Sequence, residues 1–250
     1  MNVYKFYNSE GWQKKDNKFK DANLFEDNRT SSQNYVSECR KRILKYIPKK
    51  GENILDFASG PIQYKEYLEY SKNFKYRHCV DFSKKAIEEA KKKLGKKGKY
   101  YCKDFLKLKF KKNTFDCILS MHTIYHINKN QQRKVILKMI DIVKKNKPII
   151  IVYSNPDTII NRIKNIFKRK KRKQQIYFYC FKNEWWYQFS KKADIKFYPW
   201  RSFSSQHQKL LFPNNFIGSF FFKILFFLEN KFNKFFVKYF QYQIIIIKKR

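Results

Sequence analysis

Apolar β-branched segments alternate with amphipathic helical ones along most of this 250-residue chain. That alternation predicts an α/β fold with a mostly parallel sheet and right-handed crossovers. Two local features point the same way. A turn of small residues, Ala58-Ser59-Gly60, separates an apolar strand from Pro61. An acid also stands at the end of each of the first three strands: Asp56, Asp81 and Asp104.

The elements follow in order. Ser31 and Ser32 read as caps of a helix running to about Tyr46, in which Tyr35, Cys39, Ile43 and Ile47 recur every four residues. Pro48 stops it, and strand 1 ends in Ile54-Leu55-Asp56. Ala58, Ser59 and Gly60 are small enough for a ligand to lie against the backbone. Pro61 suits the first turn of a helix over Ile62–Leu68, because its missing N–H has no partner there anyway. Strand 2, Tyr76–Val80, ends at Asp81, and Ser83 caps the helix Lys84–Leu94. Strand 3 is Lys99–Cys102 and strand 4 is Asp116–Ser120, with His122-Thr123-Ile124-Tyr125-His126 at its carboxyl end. An amphipathic helix, Gln131–Lys145, leads to strand 5, Pro148–Tyr153. A basic helix is expected over Thr158–Lys173, then strand 6 over Ala193–Phe197, followed by Pro199-Trp200-Arg201. Phe216–Leu228 is almost wholly apolar but holds Lys223; its length suits a core or interfacial helix, not a membrane span. Gln243–Ile247 reads as the last strand.

Composition narrows the partners. The formal net charge is +37, from 47 Lys and 10 Arg against 20 acids. Phosphate sites lean on Arg for bidentate contacts, so the lysine skew reads as a solvated surface bias. An anionic partner such as RNA, anionic lipid or a phosphorylated sugar carrier stays open. The five cysteines are isolated in sequence, which favours reduced thiols over disulfides or a zinc site. The polar, aromatic N-terminus lacks the apolar core of a signal peptide. A cytoplasmic protein without a transmembrane segment is expected, with peripheral membrane contact left open.

The stretch Asn53–Pro61 resembles motif I of the class I S-adenosylmethionine (SAM)-dependent methyltransferases, where an acid precedes Gly-x-Gly-x-Gly. Here the three positions are Ala58, Gly60 and Ile62, so only the middle glycine stands. The order of elements extends the resemblance, to type 11/12-like members, over roughly residues 26–250. It implies a Rossmann-like, seven-stranded, mostly parallel sheet with an antiparallel last strand beside strand 6, and helices on both faces. It further implies a SAM-binding domain over 31–250 with an acceptor-specificity insertion at about 157–192, while the polar clusters and scattered aromatics of residues 1–30, Tyr4, Tyr7, Trp12 and Phe25, read as an arm or flap over the ligand site. Ser-Gly-Pro-Ile-Gln-Tyr and Tyr-Phe-Tyr…Trp-Trp…Pro-Trp-Arg-Ser-Phe are similar to bacterial methyltransferases of surface-polysaccharide synthesis.

The cofactor so implied is S-adenosyl-L-methionine. Asp56, Ala58, Ser59 and Gly60 would meet its methionine end. Asp81 would accept the ribose hydroxyls, with Phe82 beside it, because two acceptor oxygens suit a diol. Asp104 would meet the adenine amino group and Phe105 would stack on the ring. An acid after a strand equally caps the next helix, and Phe105 equally suits a core. The missing glycines point away from NAD, whose pyrophosphate wants Gly-x-Gly-x-x-Gly, and the chain has no P-loop.

His122 and His126 are the acid/base candidates, since imidazole titrates in the range a hydroxyl acceptor needs. His122 falls where the transferred methyl group should sit; His126 matches a position often structural in the family. No third ligand adjoins them for a metal. Tyr125, Trp185, Trp186 and Arg201 are the acceptor-contact candidates: aromatic faces for a sugar ring and a guanidinium for an anionic group. Packing over the sheet is the competing use of the aromatics. No Pro-Pro-Tyr or Pro-Cys signature of DNA-base methylation follows strand 4. The expected activity is methyl transfer to a small acceptor, a sugar or polysaccharide-precursor hydroxyl. The alternatives are an RNA methyltransferase and an inactive SAM-fold scaffold.

Overall fold

The computed structural model describes residues 3–15, 18–166 and 176–250. Its frame is one seven-stranded sheet. The strands are β1 Gly51–Phe57, β2 Phe74–Asp81, β3 Gly98–Cys102, β4 Cys117–Met121, β5 Pro148–Ser154, β6 Ala193–Arg201 and β7 Tyr242–Lys249. They lie side by side in the order β3-β2-β1-β4-β5-β7-β6. Pairings from β3 to β5 are parallel. β7 runs antiparallel to both β5 and β6. This is the Rossmann-like sheet expected from the sequence, with the last strand inserted beside β6.

Alternate strand residues serve opposite faces, as the pleat requires. Leu55, Ile118, Ile149, Ile151 and Ile245 pack on one side with Val135, Ile136 and Met139. Ile54, Leu119, Ile150, Val152 and Ile244 pack on the other with Ile43 and Tyr70. Strands buried on both faces explain the near-continuous apolar runs. From residue 33 onward the α-helices are α1 Gln33–Lys41, α2 Lys65–Glu69, α3 Lys84–Leu94, α4 Lys129–Ile142, α5 Ile159–Ile166, α6 Ser205–Leu211, α7 Phe216–Lys231 and α8 Asn233–Tyr239; the N-terminal segment adds two short ones, Val3–Phe6 and Lys20–Phe25.

Several local expectations change. Pro61 does not start a helix; α2 begins only at Lys65, because Ile62 holds a φ of +50°, which no right-handed helix admits. Ser32 does not cap α1; its hydroxyl donates to the Asp27 carbonyl (3.0 Å). Ser83 does cap α3, accepting from the Ala86 N–H (3.4 Å). Strand 6 runs on through Pro199 to Arg201. Proline is tolerated there because β6 is the sheet's edge, and the ladder is irregular at that point. The basic helix is seen as α5; the remainder of that stretch, including Lys168–Lys173, lies outside the described residues. All five cysteines are free.

The parallel strands β1, β2, β4 and β5 end on one edge. Because Ser154 pairs with Tyr242 and Arg201 pairs with Tyr242, β6 ends and β7 begins at that same edge. The whole 202–241 connection therefore leaves from and returns to the mouth of the sheet, where ligands of open α/β folds bind.

Candidate active site

The turn after β1 follows the path of a three-glycine loop without the glycines. Ala58, Gly60 and Ile62 have φ of 53°, 55° and 50°. For a residue with a side chain the left-handed region costs roughly 1–2 kcal/mol. Ile62 is held there by burial against Cys79, Ile87 and Ala90. A Cβ on Gly60 would meet the Trp12 ring at 3.1 Å. The indole of Trp12 thus lies directly on the turn.

Asp81 closes the turn from the end of β2. The Gly60 N–H donates to its Oδ2 (2.9 Å) and the Ser83 N–H to its Oδ1 (2.8 Å). Each oxygen keeps a lone-pair site for a further donor. Burial pushes the Asp81 carboxyl up to about 6. Phe82 is half-buried, with its ring 5.3 Å from that of Tyr4. Tyr7 stacks on Trp12 (4.9 Å) and donates to Asp21 Oδ1 (3.1 Å), while Gln63 Nε2 donates to Asp21 Oδ2 (3.0 Å). Trp12 Nε1 and Gln63 Oε1 are buried without a hydrogen-bond partner among the described residues. Buried polar atoms normally have partners, so an orphaned donor and acceptor beside Gly60 fit a polar ligand such as SAM.

The other expected cofactor residues divide. Ser59 is buried in the turn, its N–H donating to the Val80 carbonyl (3.2 Å). Asp56 is not an open acceptor: Arg77, itself buried, donates from Nε to Asp56 Oδ2 (3.1 Å). Asp104 is exposed and caps its own turn, accepting from the Leu106 N–H (2.9 Å). Phe105 is a core residue against Phe57, with ring centroids 4.7 Å apart. Asp104 and Phe105 are seen in the structural roles weighed against them, while Asp56 is held by Arg77, a partner the sequence reading did not name.

On the acceptor side, His122 follows β4 with a φ of +58°. Its ring sits 4.4 Å from that of Trp200 and 5.2 Å from that of Tyr242. Its Nδ1 is 2.9 Å from the Tyr125 hydroxyl. Burial, then the nearby Arg201 charge, pushes its pKa well below the ordinary histidine value. The imidazole is therefore neutral at neutral pH. Burial raises the Tyr125 hydroxyl well above its ordinary value, so that group keeps its proton. The Nδ1–Oη contact admits two tautomers, and the one with Nδ1 protonated toward Tyr125 Oη is the one that leaves Nε2 as the acceptor. His126 is tied elsewhere: its Nδ1 donates to the Tyr177 carbonyl (2.7 Å), and burial lowers its pKa to about 4. That bond pins the 176–192 segment to the end of β4.

Three expected acceptor contacts are structural. Trp186 is fully buried against Tyr153 (5.0 Å). Trp185 stacks on Phe181 (4.4 Å, 3°). Arg201 is paired to buried Glu26, which also accepts from Arg40 Nη2 (2.8 Å). Burial alone would raise the Glu26 carboxyl, but Arg201 and Arg40 outweigh it and hold it below the ordinary range. The Arg40 guanidinium lies on the Tyr64 ring at 3.4 Å. Sequence reasoning missed Trp12, Asp21, Gln63, Glu26 and Tyr242. For Trp12, Asp21 and Glu26 the one signal was the density of aromatics and acids before residue 30; Gln63 and Tyr242 lie outside that stretch.

Residues 55–151 match the methyltransferase domain family. The fold matches a SAM-dependent methyltransferase from Archaeoglobus fulgidus, with 16% identity over 87% of this chain and 94% of that one, at a TM-score of 0.57. It also matches phosphoethanolamine N-methyltransferase 1 of Haemonchus contortus, solved with phosphoethanolamine and S-adenosylhomocysteine: 11% identity, 89% of this chain, 44% of that chain, TM-score 0.57. A third match is the [4+2]-cyclase SpnF, with 11% identity over 85% of this chain and 80% of that one, at a TM-score of 0.56. A search of curated protein sequences gives no match. The matched domain and the fold are those of SAM-dependent methyltransferases, whose cofactor is S-adenosyl-L-methionine. The matched stretch spans β1 to β5, five of the seven strands; the N-terminal segment and the 202–241 connection lie outside it.

Proposed function

We propose that the chain methylates a hydroxyl of a small acceptor bound between the β1 turn and His122, under the N-terminal segment. The observation that carries this reading is a neutral imidazole at the end of β4 with one nitrogen committed to Tyr125. When bound, SAM supplies an electrophilic methyl group on a sulfonium. Gly60 and Asp81 hold the cofactor's polar groups, and Trp12 excludes water from the turn. His122 Nε2 takes the proton of the acceptor hydroxyl, and Tyr125 Oη holds the tautomer. The sugar or polysaccharide version of this reading loses the stacking role of Trp185 and Trp186. The wall left for an acceptor is half-buried Tyr242 beside His122, with buried Tyr125 and Trp200 backing the imidazole.

The test is transfer of a labelled methyl group from SAM to hydroxyl, amine and RNA acceptors, with His122→Ala in parallel. Transfer to a hydroxyl acceptor is expected, with turnover cut about 10²–10⁴-fold in His122→Ala and SAM binding nearly unchanged. Turnover should also fall only at pH well below 6.5, where the imidazole gains its proton. Unaltered turnover in His122→Ala sinks the base assignment and leaves positioning as the mechanism. SAM binding without transfer to any acceptor favours the scaffold reading.

A further inference from the structure

Helix α7, Phe216–Lys231, is apolar on two opposite sides. Its inner stripe, Gly218, Phe222, Leu225 and Glu229, is buried against the body of the protein. Gly218 is required there: a Cβ would lie 1.9 Å from the Pro213 carbonyl oxygen. The outer stripe repeats at helical spacing and faces out. Phe216 is 81% exposed, Phe220 57% and Phe227 59%, with Ile217 and Ile224 beside them. Isolated exposed apolar residues are ordinary, but a contiguous stripe of phenylalanines marks a contact surface.

Charge decides what it contacts. The 202–241 connection holds five lysines, Lys209, Lys223, Lys231, Lys234 and Lys238, all exposed. Its one carboxylate, Glu229, is fully buried and paired with Arg42 at 2.8 Å. A second copy seated by two-fold symmetry would bring these lysines against their own kind. A flat anionic surface instead satisfies both parts: phenylalanines enter the acyl boundary while lysines meet headgroups. The helix is about 24 Å long and no described helix is long and apolar enough to cross a membrane, so it lies on the bilayer.

We propose that the outer face of α7 docks this protein on an anionic lipid bilayer. The docking element belongs to the connection that starts and ends at the mouth edge, so it holds that edge near the lipid surface. The claim concerns binding alone and stands whatever the acceptor.

Co-sedimentation with vesicles of phosphatidylcholine alone, and of phosphatidylcholine with phosphatidylglycerol, at physiological salt tests it. Binding is expected only to the anionic vesicles. The charge-neutral double variant Phe220→Ser/Phe227→Ser should bind at least about tenfold more weakly, and Lys223→Glu/Lys231→Glu should lose binding. These side chains are exposed, so circular dichroism and melting should stay near the parent's. As a second reading, α7 labelled at Ile217→Cys with an environment-sensitive dye should report a less polar surrounding on the anionic vesicles. Binding equal in the phenylalanine variant would mean that overall charge alone holds the protein, and overturns the proposal. So would no binding at physiological salt, or a dimer in solution that Phe220→Ser dissolves.

Discussion

At the scale of single residues, Gly60 is the least replaceable position of the turn. Its φ is +55° and Trp12 covers the place a Cβ would take. Gly60→Ala should lose about 1–2 kcal/mol from left-handed strain and displace the indole. Thermal melting and tryptophan fluorescence read the two effects separately. Unchanged fluorescence would mean that Trp12 does not rest on the turn.

Asp81 titrates in a useful range. Its folded pKa stands at about 6, above the ordinary carboxylate value. The charged form, which accepts most strongly from hydroxyls, is therefore complete only above that pH. SAM affinity should fall as pH drops through about 6, and Asp81→Asn should weaken binding by about 1.5–3 kcal/mol at neutral pH and remove the pH step. Calorimetry at several pH values checks both. An affinity indifferent to pH and to the substitution would take Asp81 out of the site. Asp81→Ala is a poorer probe, because it also strands the Gly60 and Ser83 N–H groups.

At the scale of elements, Glu26 joins the N-terminal segment to β6 and α1. It faces Arg201 from β6 and Arg40 from α1. Removing one member of a buried ion cluster strands the others, at about 3–5 kcal/mol. Glu26→Gln should lower the urea midpoint accordingly; double substitution with Arg201→Met should recover part of the loss. A double-variant loss equal to the sum of the two single losses would show that the pair is not coupled.

Elements of the sheet were legible because burial on both faces writes itself as β-branched runs such as Ile149-Ile150-Ile151. The place of Asp81 at the end of β2 was legible because it follows such a run, and the partners seen there are nearby backbone. Asp56 was not, because Arg77 lies 21 residues away and only the register of β1 with β2 brings them together. Trp186 was misread for the same kind of reason. Sequence shows an aromatic pair, while which ring turns inward depends on how residues 183–189 sit over Tyr153. The left-handed turn was hidden in another way: Ala58 and Ile62 adopt glycine's conformation without glycine's signature.

At the scale of the whole molecule, the charge of +37 predicts behaviour in salt. Spread over lysines, it should give loose RNA binding that fades between low and physiological ionic strength. Filter binding across a salt series measures it. Tight, structure-selective RNA binding at physiological salt would promote an RNA acceptor over a small one.

The place of β7 also sets an order of assembly. β6 is made before β7, yet β7 lies between β5 and β6. Until residues 242–249 are synthesised and docked, β6 has no neighbour to pair with and the outer edge of β5 stays open. That edge is an isoleucine-rich strand, the kind that recruits foreign strands when left unpaired. The nascent chain therefore passes through a stage in which its most aggregation-prone edge waits on its latest strand. Slow release or a crowded synthesis compartment should cost yield at that stage, while the finished sheet, once closed, shows no trace of the exposure.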